Sequence, residues 1–125
     1  MSGIEHSLDE AWKIQLEAAE VGFDWPDVED VFSKVLEELK EVRDAWTKQD
    51  SEDEVELELG DLLFSVVNLC RVMEHHPENA LKRTNLKFTN RFNRMCEGLV
   101  KSGKDISNAS LEEMDGMWEW AKGLE

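Results

Sequence analysis

Cysteine is scarce: Cys70 and Cys96 are the only two in 125 residues, which leaves no disulfide framework and leads to the expectation of a reducing, cytoplasmic setting. Basic residues are few as well. Lysine and arginine number 14 against 29 aspartate and glutamate, a formal net charge of −15, and the resulting mean field repels nucleic acid and anionic membrane alike. Neither is expected as a partner, and an anionic ligand would need cations to bridge it. Long hydrophobic runs are missing too: the longest, Leu62 to Met73, is broken by Ser65, Asn68 and Arg71 and is too short to span a bilayer. The opening MSGIEHSLDE is polar and acidic, unlike a signal peptide. There is no internal repeat or low-complexity tract. Hydrophobic residues still make up 41% of the chain, so its acidity does not mean disorder. The length suits one domain with one modest core.

What is present is helical periodicity, and no stretch reads convincingly as a strand, so the expected fold is all-α with four to five helices. Ser7 and Glu10 suggest a capping box ahead of a helix through about Val21, with Leu8, Ala11, Trp12, Leu16 and Ala19 at helical spacing. Gly22 to Asp27 is a break carrying a proline and two aspartates. In a second helix Val28, Val31, Val35, Leu39, Val42 and Trp46 repeat at steps of three and four. The acidic run Gln49 to Glu54 reads as a solvated loop into a third helix, which His76-Pro77 ends. A fourth helix follows with Leu81, Thr84, Phe88, Phe92, Met95 and Leu99 as its buried stripe, and Ser110 with Glu113 forms a second capping box opening a short last helix through Trp118. His75 and His76 are read as turn and cap residues rather than ligands.

The third helix poses the functional question. At about 100° per residue, Val55, Leu59, Leu62, Val66, Leu69 and Met73 share a face with Glu58 inside it, while Asp61, Ser65 and Asn68 run alongside. On the second helix Glu38 sits at the edge of the apolar stripe, Glu41 about 60° further out and Glu37 beyond. Each helix thus offers a carboxylate pair at i and i+3, and antiparallel packing across the short connection would bring the pairs together. Taken alone, Glu37, Glu38 and Glu41 also fit an exposed face paired with Lys34 or Lys40. Glu58 fits that reading less well, because an unpaired charge in a packed seam costs several kcal/mol or is neutralised. Oxygen-only ligation selects a hard ion, Mg²⁺ or Mn²⁺ rather than Zn²⁺, and Mg²⁺ commonly shares its site with substrate phosphates.

Glu37-Glu38-Leu39-Lys40-Glu41, sixteen intervening residues and Glu58-Leu59-Gly60-Asp61 resemble the EExxE...ExxD signature of the all-α NTP pyrophosphohydrolases. The chain is most similar to the MazG group, through VGFDWPDVEDVFSKVLEELKEV, ELGDLLFSVVNLCR and ALKRTNLKFTNRFNRM, and to the C-terminal copy of tandem MazG proteins. The resemblance implies a MazG-like bundle of a single domain over residues 1–125, with its active site between helices. It implies Mg²⁺-dependent hydrolysis of nucleoside triphosphates to the monophosphate and pyrophosphate, and assembly as a dimer or dimer of dimers. By motif position the metal ligands are Glu38, Glu41, Glu58 and Asp61; Ser65 and Asn68 have no place in the motif and are expected, from their position along the seam, as partners of those ligands.

Residues 79–96 contain five bases, Lys82, Arg83, Lys87, Arg91 and Arg94, and no acid. Lys87 and Arg91 lie one turn apart and suit a phosphate chain; the resemblance places substrate-phosphate contacts there, while salt bridging to an acidic surface is the plainer alternative. In the expected reaction a water activated by the ions attacks the α-phosphorus and pyrophosphate leaves, with Glu37, or less readily Glu38, taking or orienting the proton. The resemblance also implies base stacking on Trp118, with Lys122 one turn on, although a tryptophan in a short tail helix more often packs. The competing class is a non-catalytic helical metal-binding or interaction module. A ferritin-like di-metal oxidase is disfavoured by the absence of Glu-x-x-His pairs.

Overall fold

The computed structural model describes residues 7–125. Among these it contains five α-helices and no strand: α1 Ser7–Glu20, α2 Val28–Thr47, α3 Glu52–Val72, α4 Pro77–Lys101 and α5 Leu111–Lys122. The chain divides into two compact units, one running to Ala80 and one from Leu81 to Glu125. No helix among the described residues is long and apolar enough to cross a membrane.

In the first unit the breaks follow local chemistry. Gly22 adopts φ 96°, which lets the Phe23 amide donate to Ala18 O at 2.9 Å and the Gly22 amide to Ala19 O at 3.0 Å, closing α1 in a Schellman pattern. Asp27 caps α2 by accepting from the Glu29 amide at 3.3 Å. The second half of the acidic run expected as a loop is helix: Ser51 caps α3 through the Glu54 amide at 3.2 Å, and Glu52, Asp53 and Glu54 form its first turn, where the helix dipole favours negative charge. At the start of α4 the His76 Nδ1 accepts from the Glu78 amide at 3.2 Å. With Nδ1 accepting, the neutral ring donates from Nε2 to Asp9 Oδ1, 2.9 Å away. His76 is therefore a cap, as the sequence suggests, packed on Trp12 with ring centroids 4.8 Å apart.

α3 packs against both α2 and α1. The buried line on α2 is Val31, Glu38 and Ala45, while Leu39 and Trp46, expected in the seam, are exposed. On α3 the most deeply buried residues are Ser65, Val67 and Asn68, and Leu59, Val66 and Met73 are exposed. The second half of the polar seam of α3, Ser65 and Asn68, therefore lies inside the unit, while Asp61 and much of the apolar face lie outside. Periodicity tells which residues share a face; it does not tell which face a neighbour covers.

In the second unit Met95 and Leu99 of α4 and Ala121 of α5 are buried. Leu81, Phe88 and Phe92, expected in the same stripe, are exposed. A Cβ on Gly98 would stand 2.5 Å from Met117 Sδ and 2.9 Å from Trp120 Cζ3, so α5 approaches α4 where a side chain is missing. The Ser110–Glu113 capping box forms as expected, with Ser110 Oγ accepting from the Glu113 amide at 3.1 Å and Glu113 Oε1 accepting from the Ser110 amide at 2.9 Å. α5 continues past Trp118 to Lys122.

Candidate metal centre and its cavity

The short connection between α2 and α3 makes an antiparallel hairpin, which sets Glu38 of α2 beside Glu58 and Asp61 of α3. One carboxylate oxygen from each of the three lies within 4.8 Å of the others. Octahedral Mg²⁺ ligands at 2.0–2.1 Å from the ion stand about 3 Å apart when adjacent and about 4 Å when opposite, so small side-chain rotations bring this set to ligation distance. The donors are all oxygen, which fits a hard cation. Glu38 is 9% exposed, Glu58 is half-buried and Asp61 exposed. Burial pushes the Glu58 carboxyl above its ordinary pKa, and the nearby charges of Asp61, Glu41, Glu38 and Glu54 push it further.

Glu41 lies on the exposed side of α2 and is not part of the three-carboxylate group, though its charge is felt at Glu58. Glu37 is exposed too. Lys34 Nζ stands 3.1 Å from Glu38 Oε1 and 3.4 Å from Glu37 Oε2, and the hydrogen bond to Glu38 is the largest of the effects that raise its pKa. Lys40 pairs instead with Asp44 at 2.8 Å. Of the two lysine partners considered for these glutamates, Lys34 is the one in contact.

Glu38 and Asp61 open onto a cavity of about 630 Å³ within the first unit, which Lys34, Ser65, Asn68 and Arg71 also line. Ser65 Oγ donates to Leu62 O at 2.7 Å. Asn68 Oδ1 accepts from Arg71 Nε at 3.0 Å and Nη2 at 2.7 Å. Both are thus held by their own helix, and no hydrogen bond joins either to a carboxylate of the centre among the described contacts. The Arg71 guanidinium reaches on to Asp24, with Nη2 2.6 Å from Oδ1 and Nη1 3.3 Å from Oδ2. That contact is the main cause holding the Asp24 carboxyl below its ordinary pKa. Sequence reasoning passed over Asp24, Arg71 and Gln15. A signal for two of them was there: three residues beyond Asp61, Ser65 and Asn68 the polar seam arrives at Arg71, and Gln15 interrupts the Leu8, Trp12, Ala19 stripe of α1.

In the second unit Arg91 grips Glu125, with Nε 2.7 Å from Oε2 and Nη2 2.5 Å from Oε1, and its guanidinium carbon lies 5.1 Å from the centre of the Trp118 ring. Trp118 also packs on Phe88 at 5.2 Å between centroids. Arg91 first, then Arg94 and Lys87, hold the Glu125 carboxyl low. Arg91 and Trp118 are thus brought together, while Lys87 and Lys122 are exposed.

A family model described as the MazG nucleotide pyrophosphohydrolase domain matches residues 27–97, more than half of the chain. The stretch takes in all the acidic residues of the hairpin, Lys87 and Arg91, and stops short of Trp118 and Lys122. The chain is 44% identical over 117 residues to the nucleoside triphosphate pyrophosphohydrolase/pyrophosphatase MazG of Thermotoga maritima, an alignment covering 94% of this chain and 44% of that protein. It is 38% identical over 120 residues to the nucleoside triphosphate pyrophosphohydrolase of Escherichia coli strain K12, covering 95% of this chain and 46% of the other. The uncharacterized protein YabN of Bacillus subtilis is 42% identical over 74 residues, which is 59% of this chain and 15% of YabN. The chain spans less than half the length of the first two relatives. It belongs to the MazG nucleotide pyrophosphohydrolase family.

Proposed function

We propose that this chain hydrolyses ribo- or deoxyribonucleoside triphosphates to the monophosphate and pyrophosphate with Mg²⁺, or Mn²⁺ in its place, as a housekeeper or regulator of the cytoplasmic nucleotide pool. The observation that carries this reading is the convergence of Glu38, Glu58 and Asp61, the first and last of which line a cavity, in a chain of this family. Glu38, Glu58 and Asp61, joined by Glu41 through a change of rotamer, would hold the cation. Bound there, it neutralises triphosphate charge and lowers the pKa of a nearby water. Glu37, exposed and not part of the carboxylate group, takes or orients the proton released by the attacking water. Lys34 bridges Glu37 and Glu38 and restrains both side chains.

Lys87 and Arg91 are assigned to substrate phosphate, and Trp118 and Lys122 to the base, on motif position. The bidentate grip of Arg91 on the Glu125 carboxylate supports the first assignment, since a phosphate presents the same paired oxygens. The active species is proposed to be a homodimer or a dimer of dimers. Leu36, Leu57 and Leu63 are each more than half exposed, and large apolar side chains left in solvent support a face covered by a second copy.

The Lys34–Glu38 contact favours a second reading, a non-catalytic helical module whose acids are merely paired. Product analysis on a panel of NTPs and dNTPs with Mg²⁺ separates the two. Pyrophosphate and monophosphate in equal amounts are expected. Orthophosphate as the first product would overturn the proposed bond cleavage, and no product from any nucleotide would favour the module.

A further inference from the structure

In the second unit α4 carries Lys87, Arg91 and Arg94 at i, i+4 and i+7, on one face of the helix. Past the end of α5 the chain keeps turning, with the Leu124 amide donating to Ala121 O and the Glu125 amide to Lys122 O, each at 3.2 Å, which sets Glu125 two turns beyond Trp118 on the same side. The Glu125 carboxylate accepts from Arg91 with both oxygens, and Arg94 Nη1 stands 3.6 Å from Oε2. The hydrogen bond from Arg91, ahead of the charges of Arg91, Arg94 and Lys87, lowers its pKa. Among the described ion pairs no other acid meets a base of residues 79–96. The Arg91 guanidinium also lies over the Trp118 ring. Arg91, assigned to substrate phosphate, and Trp118, assigned to the base, are therefore both engaged by the chain's own side chains.

Resting on the proposed assignment of Arg91 to substrate phosphate, we infer that Glu125 is a built-in competitor: its carboxylate fills the phosphate place on Arg91 in the free protein and is displaced when a triphosphate binds. Nε and Nη2, one fork of the guanidinium, are both taken up by Glu125, so an anion seeking that fork finds it filled. A phosphate presents the same paired oxygens with more charge, and binding becomes the replacement of one bidentate pair by another. Glu125 is free to leave. It lies beyond the C-cap Gly123, its side chain is 30% exposed, and the described contacts tie that side chain to Arg91 and Arg94 alone. A pair closed about two-thirds of the time weakens the apparent affinity about threefold, and one closed about nine-tenths of the time about tenfold.

The test compares Glu125→Gln, which keeps the shape and removes the charge, and Glu125→Ala, which removes the carboxylate outright, with the wild type on the nucleotide it turns over fastest. Each variant should lower KM about threefold or more and leave kcat unchanged, because the contact exists only before substrate binds. Glu112→Gln takes the same charge from an exposed position at the start of α5 and should leave KM where it is. Calorimetric titration with inorganic pyrophosphate follows the same exchange without turnover: both Glu125 variants should bind it more tightly than the wild type, and the gain should largely vanish in an Arg91→Ala background. Hydrolysis to pyrophosphate with KM unchanged in the Glu125 variants, or raised as it would be if Glu125 only steadied Arg91, or lowered equally by Glu112→Gln, overturns the inference and leaves the proposed reaction standing. No hydrolysis, with pyrophosphate still bound more tightly by the Glu125 variants alone, overturns the reaction and leaves Glu125 as the occupant of an anion site. No hydrolysis and equal pyrophosphate binding overturns both.

Discussion

Asp24 and Arg71 are 47 residues apart and meet in one ion pair. The Arg71 side chain is 10% exposed and supplies Asn68 Oδ1 with its donors as well as pairing Asp24, so it ties the α1–α2 turn to α3. Arg71→Met should destabilise the chain by about 1–3 kcal/mol, because it leaves the Asn68 oxygen unpartnered; chemical denaturation measures this. The Asp24 carboxyl is held below its ordinary value by Arg71, so its contribution is present above the unfolded-state pKa and is lost as pH falls through the folded one. The gap between wild type and Arg71→Met should accordingly be full at neutral pH and narrow in acid. In the second unit, Arg91→Ala and Lys87→Ala should raise KM or lower kcat/KM while leaving the Mg²⁺-dependent gain in Tm nearly intact. Wild-type kinetics in both variants would reduce these bases to surface charge, the role the Arg91–Glu125 pair plays on its own.

At the scale of elements, the ends of α1, α2 and α3 use the same chain-reversing pattern with different residues. Gly22 closes α1, but Gln49 at φ 56° and Glu74 at φ 61° do the equivalent after α2 and α3, where the Asp50 amide reaches Ala45 O at 3.0 Å and the His75 amide reaches Cys70 O at 2.9 Å. A side chain in this left-handed region costs about 1–2 kcal/mol, and glycine returns part of that as lost chain freedom. Gln49→Gly should therefore stabilise by roughly 0.5–1 kcal/mol, read as a higher denaturation midpoint; a lower midpoint would mean that the Gln49 side chain holds something the contacts omit. The glycine at 22, the caps at Asp27 and Ser110 and the proline at 77 made most boundaries legible, because each acts on its own neighbours. The start of α3 was misread because Glu52 to Glu54 are as suited to a solvated loop as to a helix's first turn, and only the cap at Ser51 decides it.

For the molecule as a whole, the meeting of Glu38 with Glu58 and Asp61 was legible because i and i+3 spacing fixes a face and a short connection fixes which helix answers it, while Glu41, expected with them, lies outside the group. The cavity behind them was not, because it needs Gln15, Asp24 and Arg71 from three distant stretches, and no local pattern joins them. Nor was the outward turn of Leu59, Val66 and Met73, since burial depends on what else is packed there. If that surface is covered by a second copy, sedimentation at micromolar concentration should show a dimer or larger, and Leu63→Glu should shift it toward monomer; a monomeric wild type would contradict the proposed assembly. The raised Glu58 pKa adds a sign that can be checked. The folded metal-free chain holds a proton that the unfolded chain has released between the ordinary and the raised value, so Glu58 makes metal-free stability fall as pH rises through that window. Whether Glu38, Glu58 and Asp61 form a cation site is read from Tm against Mg²⁺ concentration for the wild type and Glu58→Gln side by side. The wild type should gain with each addition, by about 2.7 kcal/mol at a hundredfold excess over Kd. Glu58→Gln should lose most of that gain while melting, without metal, no lower than the wild type. A variant that keeps the full Mg²⁺ response, or that is already unfolded without metal, would show Glu58 to be a structural charge and not a ligand.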